Sequence, residues 1–387
     1  MSERVYFFHA PTLQNAIRRM TEELAEAVAC RGYETRLFSP ADDTAEFDQD
    51  VAAGRVAAVV SLNLYGFPAP FVETMRAARV PLFFYSTDHP YLGYEDHRFL
   101  LQSFPVLRIS LTGEDEVAAA RHLHGRGDFQ VLRQATTPHD EAPWAARDIP
   151  HVVVGNNPVA RNNDRTQHPE IFRQLWPGAI GPEGAARANR MVEIHDAAPL
   201  KPLAEVLEEA ISVEAAPVDM GQRMRTVFLF DLYLRTRVRL RALEKLAELP
   251  AVICGDGWDF LRQRPCRAHF LGSVDTARVL ALIRRARFVY NLVPPYYSCS
   301  ERVLEAAVVG TPVATTPSRF FEREFGDALW TIGLDGDPSA LLDAPPAEDD
   351  LRARAARARA AVLERHTWAE RAGHIVDFIR TQDRTAA

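Results

Sequence analysis

The stretch of residues 291–316 concentrates side chains that suit a phosphorylated ligand. It holds two tyrosines that could stack on a ring, two serines that could donate hydrogen bonds to phosphate oxygens, and an arginine with a permanent positive charge. A glutamate one helical turn beyond another could accept hydrogen bonds from hydroxyl groups. In chain order these residues are Tyr296, Tyr297, Ser298, Ser300, Glu301, Arg302 and Glu305. Their types and order predict a phosphate-binding site.

The same stretch carries signals for the elements that would position these side chains. The apolar run 288–293 predicts a parallel strand buried on both faces, which a pair of prolines ends. A helix is predicted over residues 302–309, with Ser298 and Ser300 as good N-cap residues. A loop that leaves the carboxyl end of a parallel strand and opens a helix presents free backbone N–H groups and the positive end of the helix dipole. We therefore expect a phosphate group to bind at this loop.

A second strand ends in a glycine-rich turn at residues 252–258. Gly255 and Gly257 would let the backbone approach a ligand closely, and Trp258 would supply a flat surface beside them. Gly272 ends a further predicted strand, 269–272. The Gly-x-Gly pair by itself is equally compatible with a plain turn, so its weight comes from its place before the 291–316 stretch.

The sequence SERVLEAAVVGTPVATT resembles the donor-binding signature of the GT-B glycosyltransferases, in which a glutamate-containing helix precedes Gly-x-Pro-Val and a strand. The usual signature has a second glutamate eight positions before the one that corresponds to Glu305. Tyr297 stands at that position in this chain, which leaves open whether the configuration at the sugar is inverted or retained. The alternative is that Glu301, Arg302 and Glu305 are the solvated face of a buried helix.

The order of the segments GDGW, FLGSV and SERVLEA resembles the C-terminal half of the CgeB-like spore-maturation glycosyltransferases, within the family 4-like group. The resemblance spans about residues 152–368 without an inserted segment at 158–222. In that family the corresponding loops hold the base, ribose and diphosphate of a sugar nucleotide. The resemblance therefore implies a nucleotide-sugar co-substrate, no other cofactor and no metal ion. The donor-binding residues it implies are Gly255, Gly257, Trp258, Gly272, Tyr296, Tyr297, Ser298, Ser300, Glu301, Arg302 and Glu305.

The chain of 387 residues is long enough for two domains, and its net charge of −7 does not favour nucleic-acid binding. Its apolar runs are too short to span a bilayer, and no signal peptide is visible. The four cysteines show neither a disulfide framework nor metal-ligand spacing, and the histidines show no metal-binding pair. We expect a cytoplasmic protein without a metal site or a transmembrane segment.

Short apolar runs alternate with helical patterns along most of the chain, which predicts parallel, doubly wound sheets. The expected fold is α/β of the GT-B class, with two Rossmann-like domains that face each other across a cleft. We assign residues 1–140 to an acceptor domain and 150–345 to a donor domain, with a mostly helical insertion at 158–222. Residues 346–387 are predicted to be helical and to pack back across the domain junction.

Three residues at strand ends of the first domain are candidates for the general base of an inverting transfer. Asp88 and His89 follow an apolar strand that ends at Tyr85, and His9 follows the first strand. Either side-chain type could take the proton of an acceptor hydroxyl. Structural roles remain open, because Asp88 could cap a turn, His89 could pack beside its neighbouring proline and His9 could be a core histidine. Asn63, Tyr65 and Gly66 could line the same side.

The sequence thus predicts a metal-independent glycosyltransferase that moves a sugar from a nucleotide sugar to an acceptor, which could be a glycan, a protein or a small molecule. The first alternative is a sugar-nucleotide epimerase with the same fold, which would need no acceptor. The second is a non-catalytic nucleotide-sugar-binding partner of a glycosyltransferase, which the tyrosine in place of the first glutamate would suit.

Overall fold

The computed structural model describes residues 3–9, 16–39, 44–63, 67–162, 166–297 and 299–386. The chain divides into two compact units. Unit 1 comprises residues 1–137 and 365–387, and unit 2 comprises residues 138–364. Each unit is built on one six-stranded sheet, and every pair of neighbouring strands is parallel.

Unit 1 alternates strands and helices and then receives the last helix of the chain. Its elements are β1 Arg4–Phe8, α1 Ala16–Ala29, β2 Glu34–Phe38, α2 Ala45–Ala52, β3 Val56–Leu62, α3 Ala69–Ala77, β4 Leu82–Ser86, α4 Tyr94–Ser103, β5 Leu107–Leu111, α5 Glu114–His124 and β6 Asp128–Val131, with the final helix at Trp368–Ala386. The strand order is β2-β1-β3-β4-β5-β6. The strands β3 and β4 are almost wholly apolar because helices cover both faces of a parallel sheet.

The last helix, Trp368–Ala386, is fixed to unit 1 by two polar anchors. Trp368 Nε1 donates a hydrogen bond of 2.6 Å to Glu23 Oε2 in α1. The buried guanidinium of Arg371 donates to the main-chain oxygens of Arg133 and Gln134, which follow β6. These bonds join the end of the chain to the segment that leads out of unit 1.

Unit 2 contains a second parallel sheet and a group of helices between its first two strands. Its elements are β7 Ile149–Val154, α6 Pro158–Asn162, α7 Pro169–Gln174, α8 Trp176–Ala197, α9 Leu203–Ile211, α10 Met220–Leu246, β8 Ala251–Cys254, β9 His269–Gly272, α11 Thr276–Arg285, β10 Ala286–Asn291, α12 Glu301–Val308, β11 Val313–Thr315, α13 Arg319–Phe325, β12 Trp330–Thr331, α14 Ser339–Asp343 and α15 Glu348–Arg365. Short 3₁₀ turns lie at Trp144–Ala146, Asp259–Gln263 and Gly326–Ala328. With α15 numbered, the final helix Trp368–Ala386 is α16.

The strand order of unit 2 is β12-β11-β10-β7-β8-β9, so the chain reverses direction across the sheet between β7 and β10. In open parallel sheets this position is where ligands bind, outside the carboxyl ends of the strands. Because β7, β8 and β10 are neighbours and parallel, the turns that follow them leave the sheet at one edge. The fold therefore places the glycine-rich turn after β8 and the tyrosine-containing loop after β10 at the same edge of the sheet.

The predicted elements agree with the structure at most positions, and the differences have physical causes. The strand predicted at 269–272 is β9, and the helix predicted at 302–309 is α12, displaced by one residue. The helices α2 and α4 were not predicted, because each buries only a few side chains and gives a weak helical period. β10 begins at Ala286 and the helix before it ends at Arg285, two residues earlier than predicted.

Residues 10–15 lie outside the described part of the chain, and α1 is described from Ala16. Residues 158–222 form α6 to α9 and the start of α10, with a kink in α8 at Gly181 (φ 77°) before Pro182. Within the described ranges, no helix is both long and apolar enough to cross a membrane.

Candidate functional site

The turn after β8, Gly255 to Trp258, needs its glycines for backbone reasons. Gly255 has φ 131°, and a Cβ there would lie 2.3 Å from the main-chain oxygen of Gly155. Gly257 has φ 83°, and its Cβ would lie 2.6 Å from the Cβ of Ala160. The turns after β7 and β8 are therefore in backbone contact, and side chains are excluded where they meet.

Polar bonds tie this turn to its neighbours. Asn156 Oδ1 accepts from Asp256 N at 2.9 Å, and Asp256 Oδ1 accepts from Ser273 N at 2.7 Å. Gly272, just before Ser273, has φ 64°, a left-handed conformation that favours glycine. The strand ends of β7, β8 and β9 thus form one hydrogen-bonded platform whose backbone is accessible at the glycines.

The expectation that Trp258 offers a flat surface to a ligand is wrong. Its side chain is 1% exposed and packs in the core of unit 2. The indole Nε1 donates a hydrogen bond of 2.8 Å to the main-chain oxygen of Gly155. Trp258 therefore stabilises the platform by packing in the core under the turn. Burying a large apolar ring is more favourable in free energy than exposing it to solvent.

The β10 loop, residues 292–300, is anchored by its tyrosines. Tyr296 Oη and Tyr297 Oη both donate to Asp231 Oδ1, at 2.8 and 3.0 Å. The two rings stack with centroids 5.2 Å apart, and burial raises the pKa of Tyr296 well above its usual value. Asp231 is 1% exposed and its other carboxylate oxygen pairs with Arg235. The loop is therefore held to α10 by a buried carboxylate.

The N-terminus of α12 opens at the end of the β10 loop. Ser300 occupies the N-cap position, but its hydroxyl donates to Asn291 Oδ1 at 2.7 Å. Within the described residues, the Ser300 side chain therefore makes no cap bond with the first turn of α12. Ser298, the other predicted cap, lies outside the described residues. Ser300 therefore fixes the end of β10 through Asn291, while the dipole of α12 places its positive end here.

The charged side chains of α12 interact with each other. Arg302 Nη1 donates to Glu305 Oε2 at 2.7 Å, and Arg302 Nη2 lies 3.7 Å from Glu301 Oε1. Glu305 is 3% exposed, whereas Glu301 is about one-third exposed along its side chain. The helix face predicted to contact a ligand is therefore partly buried and internally ion-paired, so the solvated-face alternative does not describe Glu305.

Arg239 is a site residue that the sequence analysis missed. Its Nη1 donates to Asn156 O at 2.6 Å and its Nε donates to Leu292 O at 3.2 Å, so it bridges the turns after β7 and β10. Burial, with the nearby charges of Arg235 and Arg302, lowers the pKa of Arg239 to about 10. Arg239 thus contacts the β10 loop directly, Arg235 pairs with the carboxylate that holds the loop's tyrosines, and Arg302 lies in the first turn of the helix that follows the loop. The signal was present as Asp231, Arg235 and Arg239, spaced four apart on one helix face.

In unit 1 the strand ends carry mostly neutral polar groups. Asn63 and Thr87 are joined by two hydrogen bonds of 2.7 and 2.8 Å, which link the ends of β3 and β4; Tyr65 and Gly66 lie outside the described residues. Asp88 is exposed. His89 stacks on Tyr91, and its Nδ1 accepts from Tyr91 N at 3.4 Å. In the neutral ring this bond places the proton on Nε2, which makes the outer nitrogen a donor.

His9, the remaining candidate, follows β1 and is half-buried. Its backbone N–H donates to Phe38 O at 2.9 Å, which extends the pairing of β1 with β2. In the part of the chain that the structure describes, no group of three or more His, Cys, Asp or Glu side chains is arranged to hold a metal ion.

Comparison with solved structures identifies the architecture. The chain superposes on sucrose-phosphate synthase from Thermosynechococcus elongatus with a TM-score of 0.55 at 12% identity, covering 100% of both chains. It superposes on Anabaena HepE in complex with UDP and glucose with a TM-score of 0.53 at 10% identity, covering 99% and 98%. An alpha-glucosyltransferase in complex with UDP gives 0.53 at 9% identity, covering 98% and 100%. The chain has the GT-B fold.

A sequence-family match covers part of this GT-B chain. Residues 235–377 match the model of a family described as glycosyl transferase-like. The match contains the turn after β8, the β10 loop and α12, and it begins at Arg235. No curated protein matches the chain in sequence. The closer resemblance to CgeB-like enzymes stays a prediction.

Proposed function

We propose that this GT-B protein is a glycosyltransferase and that unit 2 binds a nucleoside diphosphate sugar at the carboxyl edge of its sheet. The observation that carries the proposal is the set of arginines that adjoin the β10 loop and the start of α12, namely Arg235, Arg239 and Arg302. The glycosyl transferase-like match over residues 235–377 supports the same assignment. UDP in two of the compared structures, and UDP-glucose in another complex of HepE, supports a nucleoside diphosphate as the ligand class.

The diphosphate would lie over the guanidinium groups and the first turn of α12. A hydrogen bond to a charged group contributes about 1.5–3 kcal/mol, whereas an exposed helix terminus contributes about 0.3–1 kcal/mol. The arginines would therefore supply most of the attraction, and the helix would orient the phosphate. Tyr296, Tyr297, Ser298 and Ser300 would shape the loop around it.

The nucleoside would lie on the glycine platform. Gly255, Gly257 and Gly272 are only partly buried, so a base could pack against the backbone surface of these turns. Glu305 or Glu301 would accept hydrogen bonds from ribose or sugar hydroxyls.

In the reaction, the bond between the sugar's anomeric carbon and the diphosphate oxygen breaks, and its electron pair leaves with the diphosphate. The acceptor hydroxyl oxygen bonds to the anomeric carbon and its proton passes to a base. We propose Asp88 as that base, because it is exposed at the end of β4 while His89 Nδ1 already accepts a backbone hydrogen bond. The positive charge of the arginines would stabilise the leaving group without a metal ion.

The donor half of the proposal is tested with a panel of nucleoside diphosphates and nucleotide sugars in a thermal-shift assay. A ligand that binds only the folded protein raises its melting temperature by mass action. Binders are then incubated with acceptor mixtures, and released nucleoside diphosphate is quantified. We expect a nucleotide that shifts melting and an acceptor-dependent release. An isomerised nucleotide sugar would indicate an epimerase, and binding without release would indicate a non-catalytic partner.

The same assay with and without a chelator tests metal independence, and we expect equal rates. A loss of rate that added divalent cation restores would contradict this part of the proposal. Location in the cytoplasm also stays a prediction, based on four cysteines that are all free thiols.

A further inference from the structure

The hydroxyl groups of Tyr296 and Tyr297, in the β10 loop, donate hydrogen bonds to the carboxylate of Asp231 on α10. Asp231 Oδ1 accepts both phenol hydroxyls, and Asp231 Oδ2 pairs with Arg235 one helical turn later. We infer that Asp231 is a positioning residue, which holds the β10 loop and the Arg235 guanidinium in the arrangement that receives the diphosphate. This inference rests on the proposed function, since it assigns a role within the same site.

The contacts at Asp231 are stronger than ordinary surface contacts. A carboxylate that accepts from hydroxyl groups forms charge-assisted bonds, and at 1% exposure solvent does not compete for them. Both phenols share one oxygen, so the two tyrosine rings are held side by side. The remaining oxygen fixes the direction of Arg235. One side chain therefore sets the shape of the loop and the position of a cation beside it.

The helices between β7 and β8 complete this anchor. Tyr296 packs against Phe230 of α10 with ring centroids 6.4 Å apart, and against His195 of α8 at 6.0 Å. His195 and Asp231 are both buried. The helices α8 and α10 thus form the wall behind the β10 loop, and Asp231 of α10 is the point at which that wall bonds to the loop.

Asp231 also balances local charge. Arg239 lies close enough to Arg235 and Arg302 for their charges to lower its pKa, while Asp231 raises it. Asp231 pairs with Arg235 and the buried Glu305 pairs with Arg302, whereas Arg239 bonds main-chain oxygens. These five groups together carry one net positive charge before the partly exposed Glu301 is counted, and Asp231 is therefore part of the charge balance that a diphosphate would meet. Replacing the Asp231 carboxylate by an amide would remove the charge from both phenol hydrogen bonds, which loosens the loop, and would also release Arg235. Replacing both phenols would keep Arg235 in place but would release the loop.

The test measures the dissociation constant of the best-binding nucleoside diphosphate by calorimetry, together with KM and kcat for its nucleotide sugar. Asp231→Asn is expected to weaken binding about tenfold, the effect of one lost charge-assisted bond, and to raise KM more than it lowers kcat. The double variant Tyr296→Phe with Tyr297→Phe is expected to weaken binding similarly. Asp231→Asn added to that double variant should weaken binding by less than its own single effect, because residues that act through one another are not additive.

Asp196→Asn is the matched control, because Asp196 on α8 also pairs with an arginine of α10. Asp196 is half-exposed and pairs with Arg237, which lies on a different face of α10 from Asp231. This variant is expected to leave the dissociation constant unchanged. Hydrogen exchange of the amides in residues 292–297 should quicken in Asp231→Asn and stay unchanged in Asp196→Asn, with or without nucleotide.

The outcomes separate this inference from the proposed function. If the wild-type protein binds no nucleoside diphosphate, the proposed function fails, and the exchange experiment still decides whether Asp231 holds the loop. If the wild type binds and Asp231→Asn binds equally well, the inference is overturned. Full additivity with the tyrosine variants would also overturn it. Should Asp231→Asn fail to fold, the tyrosine double variant decides, and wild-type affinity in it would refute the role.

Discussion

The two sheets have similar topologies, but the side chains at their carboxyl edges differ. Both sheets have six parallel strands, and in both the first strand lies beside the strand at which the chain reverses direction. At the edge of unit 2, α10 adds Asp231, Arg235 and Arg239 to the strand-end turns. At the edge of unit 1, Asn63 and Thr87 bond to each other. The two edges therefore differ in charge because an added helix supplies charged side chains in unit 2.

A buried histidine of α4, which lies near the end of β4, also distinguishes unit 1 from unit 2. His97 is 0% exposed, and within the described residues neither ring nitrogen has a hydrogen-bond partner. Burial, with His124 and His89 nearby, lowers the pKa of His97 to about 3. Unit 1 thus keeps a neutral, buried ring near this strand end, whereas unit 2 gathers guanidinium groups.

The largest expected effect concerns the proposed base. Asp88→Asn should lower kcat by about 100-fold or more, the range of general-base catalysis, while nucleotide binding stays unchanged. His89→Gln is the matched control and should have a smaller effect, because its Nδ1 already accepts from Tyr91 N. Acceptor-dependent release of nucleoside diphosphate measures both. Equal losses in the two variants would assign the role to His89 or to the loop as a whole.

The next largest effect is expected at Arg239, and it is compared with a substitution at Arg237 on another face of α10. Arg239→Met should lower kcat/KM by about 100-fold, because it removes a donor from the leaving group. Arg237→Met is the control, since Arg237 is two residues earlier and pairs with Asp196. Steady-state kinetics and melting temperatures are measured for both. Comparable kinetic losses in the two variants would contradict a diphosphate site at the edge of the sheet.

Alanine substitutions at Gly255 and, as a control, at Gly54 test the close approach of the turns after β7 and β8. Gly255→Ala should destabilise unit 2 by about 2–4 kcal/mol, because strain at positive φ adds to a backbone clash. Gly54→Ala in unit 1 has positive φ but nothing within 4 Å of the new Cβ, so only about 1 kcal/mol is expected. Urea unfolding measures both. A cost at Gly255 no greater than at Gly54 would contradict the contact.

The smallest effect concerns pH. The folded pKa of His97 is about 3, below its ordinary 6.5, so the unfolded state binds the proton first as pH falls. His97 should therefore lower stability by up to about 1.4 kcal/mol per pH unit below pH 6.5. His97→Phe should reduce the difference between urea unfolding at pH 7 and pH 5. An unchanged difference would show that His97 is not the proton-binding group.

Much of the fold follows from the sequence because parallel strands buried on both faces give short apolar runs. The glycine turn after β8 was also predictable, since a strand that opens into Gly-x-Gly indicates close backbone approach. Burial of Trp258 was not, because residue type does not tell on which side of a turn a ring packs. Ser300 bonds Asn291 and does not cap α12, a choice made by a residue across the strand end.

The arginine group was beyond sequence reasoning for a different reason. Asp231 and Arg239 are more than fifty residues from the β10 loop in the chain, and on a long helix their spacing is equally typical of a solvated face. Only the packing of α10 against the end of β10 brings them to Leu292 and the tyrosines. Long-range contacts of this kind are fixed by tertiary structure and not by local pattern.

The most direct test of the central claim is hydrogen exchange with and without a saturating nucleoside diphosphate. The account predicts slower exchange at residues 255–258 and 272–273, in the β10 loop and in the first turn of α12, with little change at residues 86–92. Binding that leaves those segments of unit 2 unprotected, or that protects the strand ends of unit 1 instead, would contradict it.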